Sequence, residues 1–437
     1  PLRRAAPPGL PAADARGRGD GLAAGQRLWR RARDAIWRGG IGAGGGIGGL
    51  AAALALARNG AHVTVVEQAD AWAEVGAGIQ LGPNVVRVLK SWGLGDGLQR
   101  IASFPQLLRV RDAANGNTLG TLHFDARFAL RYGAPYATVH RADLHQLLLQ
   151  QVQQQYAVQP LLQRQVQGWK RLEQGGLSVD LAAGPMAGPT TSESVRAQVL
   201  IGADGLWSQV RRQMLPGEAA PRYSGILAYR ALVRQDSLPP ALRSRQVTAW
   251  LGDRMHMVQY PVRGGSHMNV VALVQGPRPD DLQNWDHAAN AGHLRAALAG
   301  TAAPVIGMAE AIEHWRLWPL CDRPPVRSAA EMAQGRVALL GDAAHPMRPF
   351  MAQGAGMALE DAAVLAQCMQ ADGIGEKALY RYAERRWQRC ARVQLRSIRN
   401  GNIFHSTGMM RWGRDLGMRV LGERLLDVPW LYGQSVV

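Results

Sequence analysis

The chain has 437 residues, enough for two or three domains and a large core, and its 50 Lys and Arg against 33 Asp and Glu give a formal charge of +17 with a pI near 10.8. At 47% hydrophobic and 19% charged it is excluded from the disordered class, and no apolar run nears the roughly 18 residues of a membrane-crossing helix. Three widely spaced cysteines, Cys321, Cys368 and Cys390, exclude a disulfide framework and form no zinc pattern, so no metal is expected and a reducing cytoplasm fits best.

Residues 1–40 are rich in Arg, Ala, Gly and Pro with almost no apolar periodicity, so little packed structure is expected there. Nine Arg and three Asp place +6 of the net charge on this segment. The texture then changes to a Gly-rich turn, an apolar helix stopped by Gly60 and a β-branched strand over 62–67. A helix is expected over 84–92, then a hairpin turning at Asn115-Gly116, and another helix over 141–155. A short buried strand at 197–201 runs into Gly202-Ala203-Asp204-Gly205. Alternating strands over 223–274, with a turn at Arg263-Gly264-Gly265, predict an antiparallel sheet distinct from the first domain. The strand RVALLGD ends at Asp342, and helices follow over 354–370, 377–400 and 411–426.

Three motifs carry the chemistry. Gly44, Gly46 and Gly49 fit Gly-X-Gly-X-X-Gly between a strand and a helix, where glycine permits a tight turn and close approach of N–H groups to a pyrophosphate. Glu67 lies 23 residues beyond Gly44 at the end of the next strand, where an acid can accept from both ribose hydroxyls. A Gly-rich turn with a surface Glu is the bland alternative. The second motif, Asp204-Gly205 after a strand, is by itself an ordinary turn. The third is GDAAHP at 341–346, followed by Gly354-Ala355-Gly356 opening a long helix; a strand-end carboxylate can hold sugar hydroxyls, and an open helix N-terminus favours an anion.

Taken in order, GGGIGGL with Glu67, VGAGIQLGPN, VHRADLHQLL, GADGLWSQVRR and GDAAHPMRPFMAQGAGMALEDA resemble the flavoprotein aromatic hydroxylases of the para-hydroxybenzoate hydroxylase type. The texture is nearest to the salicylate, 3-hydroxybenzoate and 6-hydroxynicotinate monooxygenases, and the resemblance spans about 41–437. It implies an α/β chain: a Rossmann-like FAD-binding fold with an inserted antiparallel-sheet substrate domain and C-terminal helices. The expected parts are 41–215 and 326–375 for FAD, 216–325 for substrate and 376–437 for the helices. It also implies that Gly44, Gly46 and Gly49 hold the FAD pyrophosphate and Glu67 the adenosine ribose. Arg141 would contact the phosphate or ribityl region. Asp204 with Gly205 would help bind pyrophosphate and reach a transient NADH or NADPH. Asp342 would grip the ribityl chain, and the helix opened by Gly354 and Gly356 would face the pyrimidine side of the flavin ring. The implied reaction is NAD(P)H- and O₂-dependent hydroxylation of a small, carboxylated phenolic or hydroxypyridine ring through a flavin C4a-hydroperoxide. Partners would be the aromatic substrate, O₂ and NAD(P)H, with no nucleic acid and no membrane span; a homodimer is one option for the assembly.

Within the sheet facing the flavin, Tyr229 is the first candidate for a substrate hydrogen bond, beside a bland reading as a sheet tyrosine. Some relatives carry His at the positions of Gly225 and Gln80, so Gln80 and His256 are secondary catalytic candidates, with His345 behind them. The first strand departs from the family. Its approach to Gly44, Ile36 to Ala43, contains an arginine and three glycines where a central parallel strand needs apolar residues. Residues 1–40 are therefore expected to be a non-native start, from a shifted frame or upstream translation, with weakened FAD affinity as its consequence. Two other readings stay open at this point. One is an FAD oxidoreductase without oxygen insertion; the other is a polyanion-binding protein using the Arg-rich start, whose binding would be salt-sensitive.

Overall fold

The computed structural model describes residues 39–72, 76–183, 193–283 and 291–437, with backbone alone at 287–288. The Arg-rich start and its expected lack of packing lie outside the described residues. Those that are described from Gly39 to Val437 form one compact unit.

A six-stranded sheet runs, edge to edge, through Ala333–Gln334, Val337–Leu339, Val199–Gly202, Gly39–Ala43, His62–Val66 and Val158–Leu161. All neighbours pair in parallel except the first two. The glycine-rich first strand, expected to be compromised, pairs on both sides: Ile41 opposes Thr64 on one flank and Leu200 on the other. Its lack of side chains is partly a fit to crowding. A Cβ on Gly39 would lie 2.9 Å from His62 O and one on Gly40 3.1 Å from Val199 Cγ2, whereas Gly42 has its nearest neighbour at 4.0 Å. The helix Ile47–Arg58 packs against this sheet and Gly354–Asp372 packs against that helix, in a core that holds Leu50, Leu54, Leu359, Ala362 and Leu365. Burial explains why His62–Val66, Val199–Gly202 and Val337–Leu339 read as near-continuous apolar runs.

The second sheet has eight strands in the order His287–Ala288, Arg316–Asp322, Arg222–Arg234, His267–Gln275, Met255–Val262, Val247–Gly252, Leu107–Asp112 and Thr118–His123. The Asn115-Gly116 hairpin forms as expected, with Gly116 at φ 80°, yet its two strands extend this second sheet from far upstream in sequence. One face packs on the short helices Ala291–Ala297 and Ala303–Ala311, burying Trp250, Met257, Met268, Leu294 and Met308. The other face turns toward the parallel-sheet half of the unit. The long helix Glu376–Phe404 braces that half, and Gly422 separates Gly408–Leu421 from Glu423–Leu426 where one helical stretch was expected. Among the described residues no helix is long and apolar enough to cross a membrane.

Candidate functional site

The glycine turn is built by contact. Gly44 has φ 106°, and a Cβ there would lie 2.4 Å from Ala203 O; a Cβ on Gly49 would lie 1.8 Å from Gly44 O. Both positions therefore exclude any side chain, which lets the Ile47–Arg58 helix start directly on the turn. Gly46 differs: a Cβ there meets nothing within 4 Å, and as N-cap it offers no side-chain bond to the helix. An uncapped N-terminus beside open space suits a diphosphate, so these residues fit the pyrophosphate of FAD. Glu67 is held at the same place, accepting from Gly45 N at 2.7 Å and Ala69 N at 2.8 Å. His145 Nε2 meets Gly45 O at 2.8 Å and ties the turn to the Arg141–Gln153 helix.

The Ala203–Gly205 loop lies against this turn. Asp204 spends its carboxylate inside its own loop, accepting from Ser208 Oγ at 2.6 Å, Gln209 N at 2.8 Å and Val210 N at 3.2 Å. Burial raises its pKa and these bonds oppose the rise. Gly205, at φ 74°, completes the bend.

A cavity of about 220 Å³ brings together Gln80, Arg141, His256, Asp342 and Gly354, with Trp207, Arg230 and Trp318 on its other walls. The Asp342 loop is pinned at both ends. Gly341 N donates to Asp361 Oδ2 at 3.0 Å, and His345 Nε2 meets the same oxygen at 2.6 Å. Arg211 NH1 donates to the Ala343 and Ala344 carbonyls at 3.1 and 2.6 Å. Asp361 is paired in turn with Arg386 at 2.7 Å, and its neighbour Glu360 with Arg386 and Arg389 at 2.8 and 2.7 Å. Glu360 also accepts from Asn84 Nδ2 at 2.7 Å, and Arg389 reaches the Leu431 carbonyl at 3.0 Å. Desolvation works against both carboxylates, but the surrounding cations hold their pKa values below normal. His345, Asp361 and Cys390 come close enough to suggest a cation site, yet Asp361 is already committed to Arg386 and His345.

Gly354 and Ala355 open the 19-residue Gly354–Asp372 helix on the cavity wall, with Gln353 making no side-chain cap. Its positive end therefore faces the space. Gly356 has a packing role instead, because a Cβ there would meet Val85 Cγ2 at 2.7 Å.

Tyr229 is placed differently from expectation. Its ring is 1% exposed on the helix-covered face, packed in the cluster of Trp250, Met257 and Met268, and its hydroxyl meets His293 Nδ1 at 2.8 Å. Strand alternation turns Ile226 and Ala228 the other way, toward Leu273, Trp318 and Leu320, and with them Arg230. Arg230 is the group that sequence reasoning missed. Its guanidinium carbon lies 3.1 Å from the Trp318 ring centroid, its Nε is buried without a hydrogen-bond partner, and no carboxylate pairs with it among the described residues. Burial pushes its pKa down to about 9, with Arg141 adding to the effect.

Gln80 and His256 both also wall a second cavity of about 440 Å³. Gln80 Oε1 accepts from Tyr136 OH at 2.7 Å, and His256 Nδ1 meets His405 Nε2 at 2.8 Å.

The FAD binding domain family matches residues 41–397. The chain is 36% identical over 397 residues to 3-hydroxybenzoate 6-hydroxylase of Polaromonas naphthalenivorans, covering 90% of this chain and 95% of that one. It is 36% identical over 356 residues to 6-hydroxynicotinate 3-monooxygenase of Bordetella bronchiseptica, covering 80% and 88%. Among solved structures, a salicylate hydroxylase substrate complex superposes with a TM-score of 0.74 at 26% identity, covering 91% and 95%. Klebsiella pneumoniae HpxO complexed with FAD and uric acid gives 0.75 at 26%, covering 89% and 94%. With its glycine turn open at Gly46 and a cavity between the two sheets, this chain belongs to the FAD-binding family of aromatic-ring monooxygenases.

Proposed function

We propose that this monooxygenase hydroxylates a small phenolic or hydroxypyridine ring bearing a carboxylate, using NADH or NADPH and O₂. The observation that carries the reading is Arg230, a guanidinium on the wall of the cavity with no carboxylate partner among the described residues and its Nε buried without a hydrogen bond. A buried cation without a counter-anion is costly, and a substrate carboxylate placed against it relieves the cost while fixing the ring's orientation. The relatives' substrates, hydroxybenzoates and a hydroxynicotinate, have this chemistry in their names.

When bound, FAD takes reducing equivalents from NAD(P)H and supplies activated oxygen to the ring. The chain's own residues would do the rest. Gly44, Gly46 and Gly49 would seat the pyrophosphate and Glu67 the adenosine ribose. Arg141 and Asp342 would hold the ribityl region, and the Gly354 helix would set its positive end against the flavin ring. Trp318, Leu273 and Leu320 would exclude water from the ring, while Gln80 and His256 face its hydroxyl. Activity calls for electron density in the ring, and a neutral His256 is suited to accept a phenolic proton.

The test is NADH and NADPH consumption by the purified FAD-loaded protein with 3-hydroxybenzoate, salicylate and 6-hydroxynicotinate, with product analysis under ¹⁸O₂. Stimulated consumption with labelled product is expected. Consumption without label in any product would replace this reading with an oxidoreductase that does not insert oxygen.

A further inference from the structure

The helix Gly408–Leu421 is turned inside out. A surface helix normally buries its apolar face and leaves its charged one in water. Here three of the four charged residues turn toward the body of the protein. Arg411 pairs with Asp112 at 2.7 Å and with Asp253 at 3.1 Å, while Arg414 pairs with Asp415 at 2.7 Å and donates to Phe404 O at 2.9 Å. Only Arg419 stays outside with the apolar residues. Met409, Trp412, Leu416 and Val420, spaced three, four and four apart, form a stripe along the outer face, with Met409 91% and Val420 73% exposed. Of the 13 large hydrophobic side chains exposed among the described residues, seven fall between Met409 and Leu425, so they form a patch rather than the usual scatter.

Beside the stripe the surface is hollow. Met410, Gly413 and Gly417 of this helix wall the cavity of about 440 Å³ together with Ile403 and Phe404, and a Cβ on either glycine would meet nothing within 4 Å. Gln80 and His256 wall both this cavity and the smaller one that contains Arg230. One helix therefore carries a ridge of bulky side chains next to bare backbone over an apolar hollow.

We propose that a second copy of this chain docks on this face, the two helices packing antiparallel about a two-fold axis, and that the docking closes the larger cavity to water. Such an interface is isologous, so it must be complementary to itself. The Trp412 and Leu416 ridge of one copy meets the Gly413 and Gly417 backbone of the other, whose missing side chains permit close approach. Asp253 borders the first turn of the helix through Arg411, and Arg419 lies in its last turn, so the antiparallel arrangement sets an acid against a cation at both ends. A lipid surface suits the face less well. A helix lying on anionic lipid keeps its basic residues on a polar face for the headgroups, and here that face is spent in ion pairs within the protein. Closure bears on the reaction because water arriving by way of Gln80 and His256 would break the exclusion that coupled ring hydroxylation needs, a consequence that rests on the function proposed above.

Sedimentation velocity over a dilution series of the FAD-loaded protein reads the association whether or not any hydroxybenzoate is a substrate. Wild type is expected as a dimer that dissociates on dilution. Leu416→Arg and Trp412→Glu, both at exposed positions, are expected to raise the dissociation constant on the order of 10²-fold or more while the circular dichroism stays that of wild type. Closure is read at Ser406, a buried residue on the cavity wall. Ser406→Cys should react with a bulky maleimide at least about tenfold more slowly in the dimer than in the Leu416→Arg background, with wild type as the baseline for the native cysteines. With 3-hydroxybenzoate, product formed per NADH or NADPH consumed should fall with the dimer fraction. A monomer at every concentration, or a dimer that survives both substitutions, would overturn the docking. So would a monomeric wild type that floats with phosphatidylglycerol vesicles and stops floating in Leu416→Arg, which would give the face to a lipid. Equal labelling in dimer and monomer would overturn the closure. A protected dimer whose NADH and NADPH consumption no hydroxybenzoate stimulates would instead overturn the substrate reading and leave the docking in place.

Discussion

Replacing Arg230 with Met should weaken substrate binding while strengthening the unliganded protein. Methionine keeps a similar stem against Trp318 and removes the charge. A charge-assisted hydrogen bond contributes roughly 1.5–3 kcal/mol, and about 1.4 kcal/mol is tenfold, so affinity for 3-hydroxybenzoate should fall about 10- to 150-fold. The folded-state pKa of Arg230 is about 9 against 12.5 for the free group. Such a depression means that the charged form opposes folding, by about 5 kcal/mol as an order of magnitude at neutral pH. That penalty is fully present below the folded pKa and fades as pH rises from there toward the unfolded value. Lost stacking on Trp318 offsets about 1–2 kcal/mol of the gain. Arg230→Met should thus melt a few degrees higher than wild type near pH 7, with the gap shrinking above pH 9. Spectral titration with 3-hydroxybenzoate and with 3-hydroxybenzyl alcohol separates the carboxylate contribution: wild type should prefer the acid and the variant should not. An unchanged preference together with a lower melting temperature would refute the reasoning.

Gly46→Leu fills the open side of the turn, so FAD affinity should drop at least 100-fold in a fluorescence titration while the apo-protein melts within a few degrees of wild type. Tyr229→Phe removes the bond to His293 and should cost about 1 kcal/mol of stability in urea unfolding, with turnover within about twofold of wild type. Gly42→Ala places a methyl where the nearest atom is 4.0 Å away, and should stabilise the parallel sheet by about 0.5–1 kcal/mol in the same assay.

The parallel sheet and its glycine turn were legible because their signals are local: a strand, a turn whose glycines touch Ala203 and Gly44, and an acid at the next strand end. The sidedness of Arg222–Arg234 was not legible. That strand is buried on both faces, Leu227 and Tyr229 against one cluster and Ile226 and Ala228 against another, so no period-two alternation marks which residue faces the cavity. Its register also breaks between Tyr223 and Leu227, around Gly225 at φ 81°. Tyr229 drew attention through the resemblance of its strand to the flavin-facing sheet, and Arg230 was hidden among many arginines. His405 could not be found from sequence, because 149 residues separate it from His256 and only the docking of the last long helix unites them. The hairpin at Asn115-Gly116 was readable as a turn, whereas its membership of the second sheet depends on parallel pairing of Leu107–Asp112 with Val247–Gly252.

The buried carboxylates Glu360 and Asp361 bear on the order in which the ribosome delivers this protein. Their partners lie upstream at Asn84, Gly341 and His345, and downstream at Arg386 and Arg389, with Arg389 reaching on to Leu431. Until residue 386 emerges, two adjacent acids in the core have no paired guanidinium to neutralise them, and the Asp342 loop lacks its anchored clamp. The glycines of the turn emerge at residues 44–49, yet the site they serve closes only once the arginines at 386 and 389 follow. A chain truncated before Arg386 should therefore leave the ribosome with a formed turn and no competent flavin site.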